Sequence, residues 1–215
     1  MIRQDYLMRL AQRLAQALAQ ALFHKGRQEY DRAEAAINVA LSECFGLETG
    51  QLPDLDELLN DCAVAGEATP ENFIRLADLF REKGEIQRLR GGDTTGAAQS
   101  DALALGLFLE LLQTSVVSFE LIQKTEALIE RTAGTRLPAT VLRRLLSYYE
   151  ARGLLARAED VLYEWLDTKD PAAPDGGLTF YERLSSKSDS ELTDGGLPRA
   201  EVDQGRAEWL RRSHV

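Results

Sequence analysis

Leucines and alanines recur at three- and four-residue intervals along almost the whole chain, and no window longer than a few residues alternates apolar and polar positions with period two. That rhythm predicts an all-α fold. Leu7, Leu10, Leu14, Leu18 and Leu22 place one stripe on a first helix whose other faces carry Arg3, Arg9, Arg13 and glutamines, and Gly26 ends it. A second helix is expected from Glu29 to Cys44, with Ala33, Ile37, Ala40 and Leu41 inward and Gly46 beyond its end, so the two make an antiparallel hairpin. Residues 47–69 are turn-rich, but Asp54 followed by Glu57 is a capping-box pattern that starts a short helix through Asp61. Thr69-Pro70 opens the next one, striped by Phe73, Leu76, Ala77 and Phe80 and closed by Gly84.

The string RGGDTTG, residues 90–96, reads as a loop. From Ala97 to Gln113 the chain is apolar nearly all round, as befits a central helix covered on several sides. A further helix, from about Ser118 to Thr132, faces inward with Phe119, Ile122, Leu128 and Ile129 and closes at Gly134. Pro138 begins a helix that Gly153 reverses into a partner ending near Asp167, after which DPAAPDGG is a linker or tight corner. Leu178 to Leu184, a Ser188/Glu191 capping box, and a last helix after Pro198 carrying Val202, Trp209 and Leu210 complete the chain. The expectation is one helical domain over 1–215, with hairpins in 1–168 and C-terminal helices in 169–215 docking on them.

One segment is more specific than amphipathicity alone: Leu142, Leu145, Leu146, Tyr149, Gly153, Leu155, Ala158, Leu162, Trp165 and Leu166. Two helices approach closely only where one side is small, so Ala158 faces Leu145 and Tyr149 while Gly153 permits the reversal. This spacing resembles the tetratricopeptide consensus. Leu76-Ala77-x2-Phe80-x3-Gly84-x-Ile86 echoes its first half and the segment from Tyr30 to Leu41 its second, which suggests hairpins stacked as a tetratricopeptide-like α-solenoid or a compact helical array. The resemblance implies that exposed first-helix positions, here Arg143 and Ser147, are where a peptide would be gripped. From MIRQDYLMRL through LTFYERLSSKSDSEL and GGLPRAEV, the chain also resembles a family of uncharacterised bacterial proteins known only as a domain of unknown function. That likeness implies bacterial origin and a helical fold, and no activity.

Charge narrows the partners. The 215 residues carry a formal net charge of -10, which repels phosphate backbones and anionic lipid, so nucleic acid is not expected. Residues 1–32 hold six bases against three acids, which leaves -13 on the remainder. Neither apolar stretch is expected to meet a membrane. Arg9, Gln12, Arg13, Gln16 and Gln20 interrupt what would have to be a signal-peptide core, and Glu110, Gln113, Thr114, Ser115, Ser118 and Glu120 interrupt Ala102 to Ile122, which reads as two buried helices. Cys44 and Cys62 fit no disulfide framework or zinc spacing, which suits a reducing cytoplasm.

The chemical inventory is thin. His24 and His214 are the only histidines, and His24 reads as a helix C-terminal cation beside Lys25. There is no HExxH, no Glu-x-x-His, no GxSxG, and RGGDTTG lacks the Lys-Ser/Thr of a phosphate-binding loop. No catalytic residue, metal ligand or cofactor is expected. The reading is a cytoplasmic interaction or scaffold protein that holds a peptide, a partner subunit or a second copy in a helical groove; the alternative is an enzyme or small-molecule sensor with a pocket between helices, and a homodimer through the Ala102–Leu112 helix is a further arrangement to test.

Overall fold

The computed structural model describes residues 2–47, 52–66, 68–92, 94–114 and 118–213, with side chains from Asp5 onward. Among these residues all regular structure is helical: α1 (Ile2–Gly26), α2 (Tyr30–Phe45), α3 (Leu55–Ala65), α4 (Pro70–Arg90), α5 (Thr94–Thr114), α6 (Phe119–Thr132), α7 (Ala139–Ala151), α8 (Leu155–Asp167), α9 (Ala173–Ser185), α10 (Asp189–Asp194) and α11 (Arg199–Ser213). Asp93, Ser115 and His214 lie outside the described residues. The helices gather into two compact units, Met1–Leu137 and Pro138–Val215. The division precedes the α7–α8 hairpin, which therefore shares its unit with the C-terminal helices.

In the first unit, α4 and α5 form the central pair; α1 and α2 pack on each other and on α4, while α3 and α6 pack on α5. The stripe of α1 differs from the leucine ladder. Leu10, Leu14, Ala17 and Ala21 are buried, Leu7 and Leu18 are half-buried, and Leu22 is 43% exposed. Alanines at Ala17 and Ala21 let the backbones of neighbouring helices come close, a requirement that outweighs the larger apolar area of leucine. On α6 the buried positions are Leu121, Thr125, Leu128 and Thr132, and Phe119 is 76% exposed. The two threonines satisfy their hydroxyls within the helix, Thr125 Oγ1 donating to Leu121 O and Thr132 Oγ1 to Leu128 O at 2.8 Å, so they pack as small apolar groups.

Helix α4 does not stop at Gly84; it continues to Arg90. A Cβ at Gly84 would lie 2.5 Å from Asp101 Oδ1 and 3.0 Å from Ala97 O on α5, so this glycine marks the crossing of the two central helices. The partial tetratricopeptide echo around Gly84 is thus one continuous helix with no turn. The loop expected over 90–96 is shorter for the same reason, because α5 begins at Thr94. Within α5, Ser100 to Leu109 are buried without a break, covered by α3, α4 and α6, so a partner copy would dock on another face.

In the second unit α7 and α8 pair as the spacing predicts. Leu142, Leu145, Leu146 and Tyr149 meet Leu155, Ala158, Leu162 and Trp165, all buried, and Gly153 turns the chain with φ +70°. DPAAPDGG is only partly a corner: α9 starts at Ala173, and Pro174 lies in its first turn, where a missing N–H is tolerated. Gly176 and Gly177 lie inside that helix, where Cβ atoms would overlap the rings of Trp165 and Trp209. Trp209 is fully buried and donates from Nε1 to Pro174 O at 3.1 Å, which docks α11 on α9. Ser188 and Glu191 form the expected capping box at α10.

Candidate functional site

Two features of the first unit are not surface background. The first is a groove of about 610 Å³ between α1 and the amino end of α4. Leu7, Met8, Ala11, Gln12 and Ala15 form one wall over two turns of α1. Thr69, Pro70, Glu71, Asn72 and Arg75 form the other, where the Thr69 side chain accepts from Asn72 N at 3.3 Å and so fixes the start of the helix. Three of the α1 residues, Ala11, Ala15 and Leu7, are half-buried, and Met8 is 55% exposed, so apolar surface faces the groove without a partner. Arg75 Nε is buried and has no hydrogen-bond partner among the described residues.

The second is a polar network along α4, where Asp78, Glu82, Lys83 and Gln87 are all buried. Lys25 reaches Glu82 at 2.5 Å and Glu85 at 3.1 Å, Lys83 donates to Asn38 Oδ1 at 2.8 Å, and Lys124 donates to Asp78 Oδ2 at 3.0 Å. Gln87 joins three helices: Ser100 Oγ donates to its carbonyl at 3.1 Å, and its amide donates to Glu34 Oε1 at 2.8 Å, while Arg90 holds the other Glu34 oxygen at 2.6 Å. Asp101, 1% exposed, lies between Arg88 and Arg131, the latter at 2.6 Å. Burial lowers the Arg131 pKa from its ordinary value although Asp101 opposes the change. Burial also works against the charge on Lys25, but hydrogen bonds and attraction from Glu82 and Glu85 outweigh it and raise the lysine above its usual value. Each buried charge here has an opposite charge or a hydrogen-bonding partner, as a structural ion network requires.

The second unit holds a smaller cluster. Tyr181 donates to Glu159 Oε1 at 2.6 Å and Tyr163 donates to Gly205 O at 3.3 Å. Burial pushes both the Tyr181 hydroxyl and the Glu159 carboxyl above their ordinary values, with Asp160 and Glu201 adding to the effect on Glu159. Gly205 is where α11 passes over this cluster, since a Cβ there would lie 2.7 Å from the Tyr181 hydroxyl.

The sequence from residue 1 to 213 matches the model of the Family of unknown function (DUF6483). The chain belongs to that family. No curated protein and no solved structure matches it. The family membership agrees with the resemblance read from the N-terminal, hairpin and C-terminal stretches, and it carries no activity with it.

Of the residues singled out in the sequence, Ser147 is exposed on α7 and donates from Oγ to Arg143 O at 3.1 Å. Arg143 is half-buried, and its charge contributes to holding the Asp170 carboxyl below its ordinary value, after the hydrogen bonds from Ala172 N and Trp165 Nε1. Both therefore sit in the second unit, and the groove between α1 and α4 is built of other residues. His24 occupies the last turn of α1, where its Nδ1 lies 2.7 Å from Glu29 Oε2. Cys44 is half-buried on α2 and Cys62 buried on α3. Among the described residues no group of three or more His, Cys, Asp or Glu side chains converges as a metal site, and no helix is long and apolar enough to cross a membrane.

Sequence reasoning missed the groove because its walls come from residues some sixty positions apart whose individual signals are ordinary. It missed the α4 network for a different reason. Past Phe80 the helix reads REKGEIQRLR, and a run so polar normally marks a solvated face. The one available signal was that this run continues a helix whose apolar stripe ends early.

Proposed function

We propose that this chain is a non-catalytic interaction protein that receives a segment of a partner protein in the groove between α1 and α4, acting in the bacterial cytoplasm. The observation that carries the reading is the groove itself, about 610 Å³ with apolar surface on the α1 wall left open by the fold. The pairing of the buried charged groups on α4 supports a scaffold over an enzyme, and the α7–α8 hairpin, with small Ala158 set among large residues, supports a tetratricopeptide-like construction of the second unit. The strongly negative net charge argues against nucleic acid as the partner. Ser147 and Arg143 are secondary candidates, because the Ser147 hydroxyl is engaged by Arg143 O and Arg143 lies close enough to Asp170 to influence it.

The test is affinity capture from the native organism with the wild-type chain and with Ala11→Trp, which fills the groove. A partner retained by the first and lost by the second supports the reading; partners captured equally by both count against it. A second reading, a small-molecule sensor or enzyme, is favoured by the volume, which falls within the roughly 300–1,000 Å³ typical of ligand pockets. Thermal stabilisation by a metabolite in the wild type and not in Ala11→Trp would support it instead.

A further inference from the structure

Resting on the reading of the α1–α4 groove as a docking site, we infer that its occupant is an amphipathic helical segment of a partner protein that carries a carboxylate, and that this carboxylate pairs with Arg75. The dimensions suit a helix. The α1 wall from Leu7 to Ala15 covers eight residue steps, which at 1.5 Å of rise each is about 12 Å, or roughly two turns of a ligand helix with anchors at i, i+3 or i+4, and i+7. Met8, Ala11 and Ala15 recur on one face of α1 at that same spacing, with Gln12 beside them, so apolar ligand residues set into the groove would meet a mainly apolar strip.

Charge selects the ligand's polar group. Arg75 lines the groove, and among the described residues its buried Nε has no hydrogen-bond partner and its guanidinium no ion pair, even with Glu71, one turn earlier on the same helix. The Nε atoms of Arg81 and Arg131 are likewise buried and unpartnered, but those guanidiniums hold carboxylates through their other nitrogens, Arg81 that of Glu82 at 3.0 Å and Arg131 that of Asp101 at 2.6 Å, whereas Arg75 holds none. A guanidinium partly withdrawn from water with no anion beside it favours a carboxylate, which can take two parallel N–H bonds from its terminal nitrogens. Of the two charged residues that line the groove, Glu71 is exposed in the first turn of α4, where it offsets the helix's positive end, and Arg75 stands one turn further in, so a ligand carboxylate is drawn to the inner end of the groove, away from Glu71. An amphipathic segment with its acid at the Arg75 end matches this arrangement.

The inference is tested with a phage-displayed library of random 16-residue peptides selected on the full chain. Clones are then compared on wild type, Ala11→Trp and Arg75→Gln, with Met8→Glu as a second groove variant at an exposed position where folding is not at stake. The expected result is a set of clones lost on both groove variants, with hydrophobic residues at helical spacing and a neighbouring Asp or Glu. In fluorescence anisotropy with the synthetic peptides, changing that acid to its amide should weaken binding to wild type about tenfold and leave binding to Arg75→Gln unchanged. Groove-dependent peptides without an acid, or an equal penalty on both proteins, overturn the carboxylate pairing and leave the groove reading intact. If no clone depends on the groove, that reading falls and the inference with it. If sodium oleate binds in an Ala11→Trp-sensitive manner while no peptide does, the occupant is a lipid carboxylate and the peptide assignment is overturned.

Discussion

At the scale of single residues, the glycines carry information that local rules misassign. Gly84 and Gly177 have the surroundings of helix crossings, where a methyl group would strike Asp101 on α5 and the Trp209 ring on α11. Gly84→Ala is expected to lower stability by about 1–3 kcal/mol by overpacking, read as a fall in thermal midpoint, although alanine is the better helix former. A chain in which Gly84 acted only as a helix terminator would be stabilised or unchanged. Glu159 gives a pH-dependent prediction. Its folded-state pKa is raised by burial, so the folded protein binds the proton more tightly than the unfolded one, and the ionised carboxylate costs stability once pH passes above the ordinary value of 4.5. Glu159→Gln should therefore raise the thermal midpoint at neutral pH, with the gain shrinking as pH falls through that value. A gain of equal size at all pH values would assign it to packing instead.

At the scale of elements, the first helix separates spacing from burial. Leucines at Leu7, Leu18 and Leu22 keep helical time as well as Leu10 and Leu14, yet the fully buried line continues through Ala17 and Ala21. Ala21→Leu should destabilise by about 1–3 kcal/mol through overpacking, whereas Leu22→Ala should stay within about 0.5 kcal/mol, both measured by urea unfolding. The reverse order would restore the leucine ladder as the buried face. Helix starts were easier to read than faces: Thr69, Ser118 and Ser188 each accept from a backbone amide three residues on, and their sequence positions had marked those starts. Thr69→Ala is expected to cost about 1 kcal/mol and to loosen the α4 end of the groove, measurable as faster amide exchange at Asn72 and Phe73.

At the scale of the whole molecule, the chain has two compact units, each with its own core. One is organised around α4 and α5 with their buried charge network, the other around the aromatic cluster of Trp165, Phe180, Tyr181 and Trp209. Local unfolding should respect that division. In hydrogen–deuterium exchange, Gly177→Ala should raise exchange within 138–213 and leave 2–137 near wild type, and Gly84→Ala should do the converse. Exchange that spread evenly through both halves in either variant would mean a single cooperative body.

Taken alone, the sequence determined the helical class, most helix starts and the α7–α8 hairpin, because periodicity, side-chain caps and a glycine with positive φ are properties of a few neighbouring residues. Only the tertiary structure decided that Gly84 lies within a helix, that α4 buries Asp78, Glu82, Lys83 and Gln87, and that α1 and α4 leave a groove beside Arg75. These depend on which distant residues arrive opposite one another. A buried charge is tolerated only when its partner comes with it, and Lys25, Asn38, Lys124 and Glu34 reach α4 from three other helices.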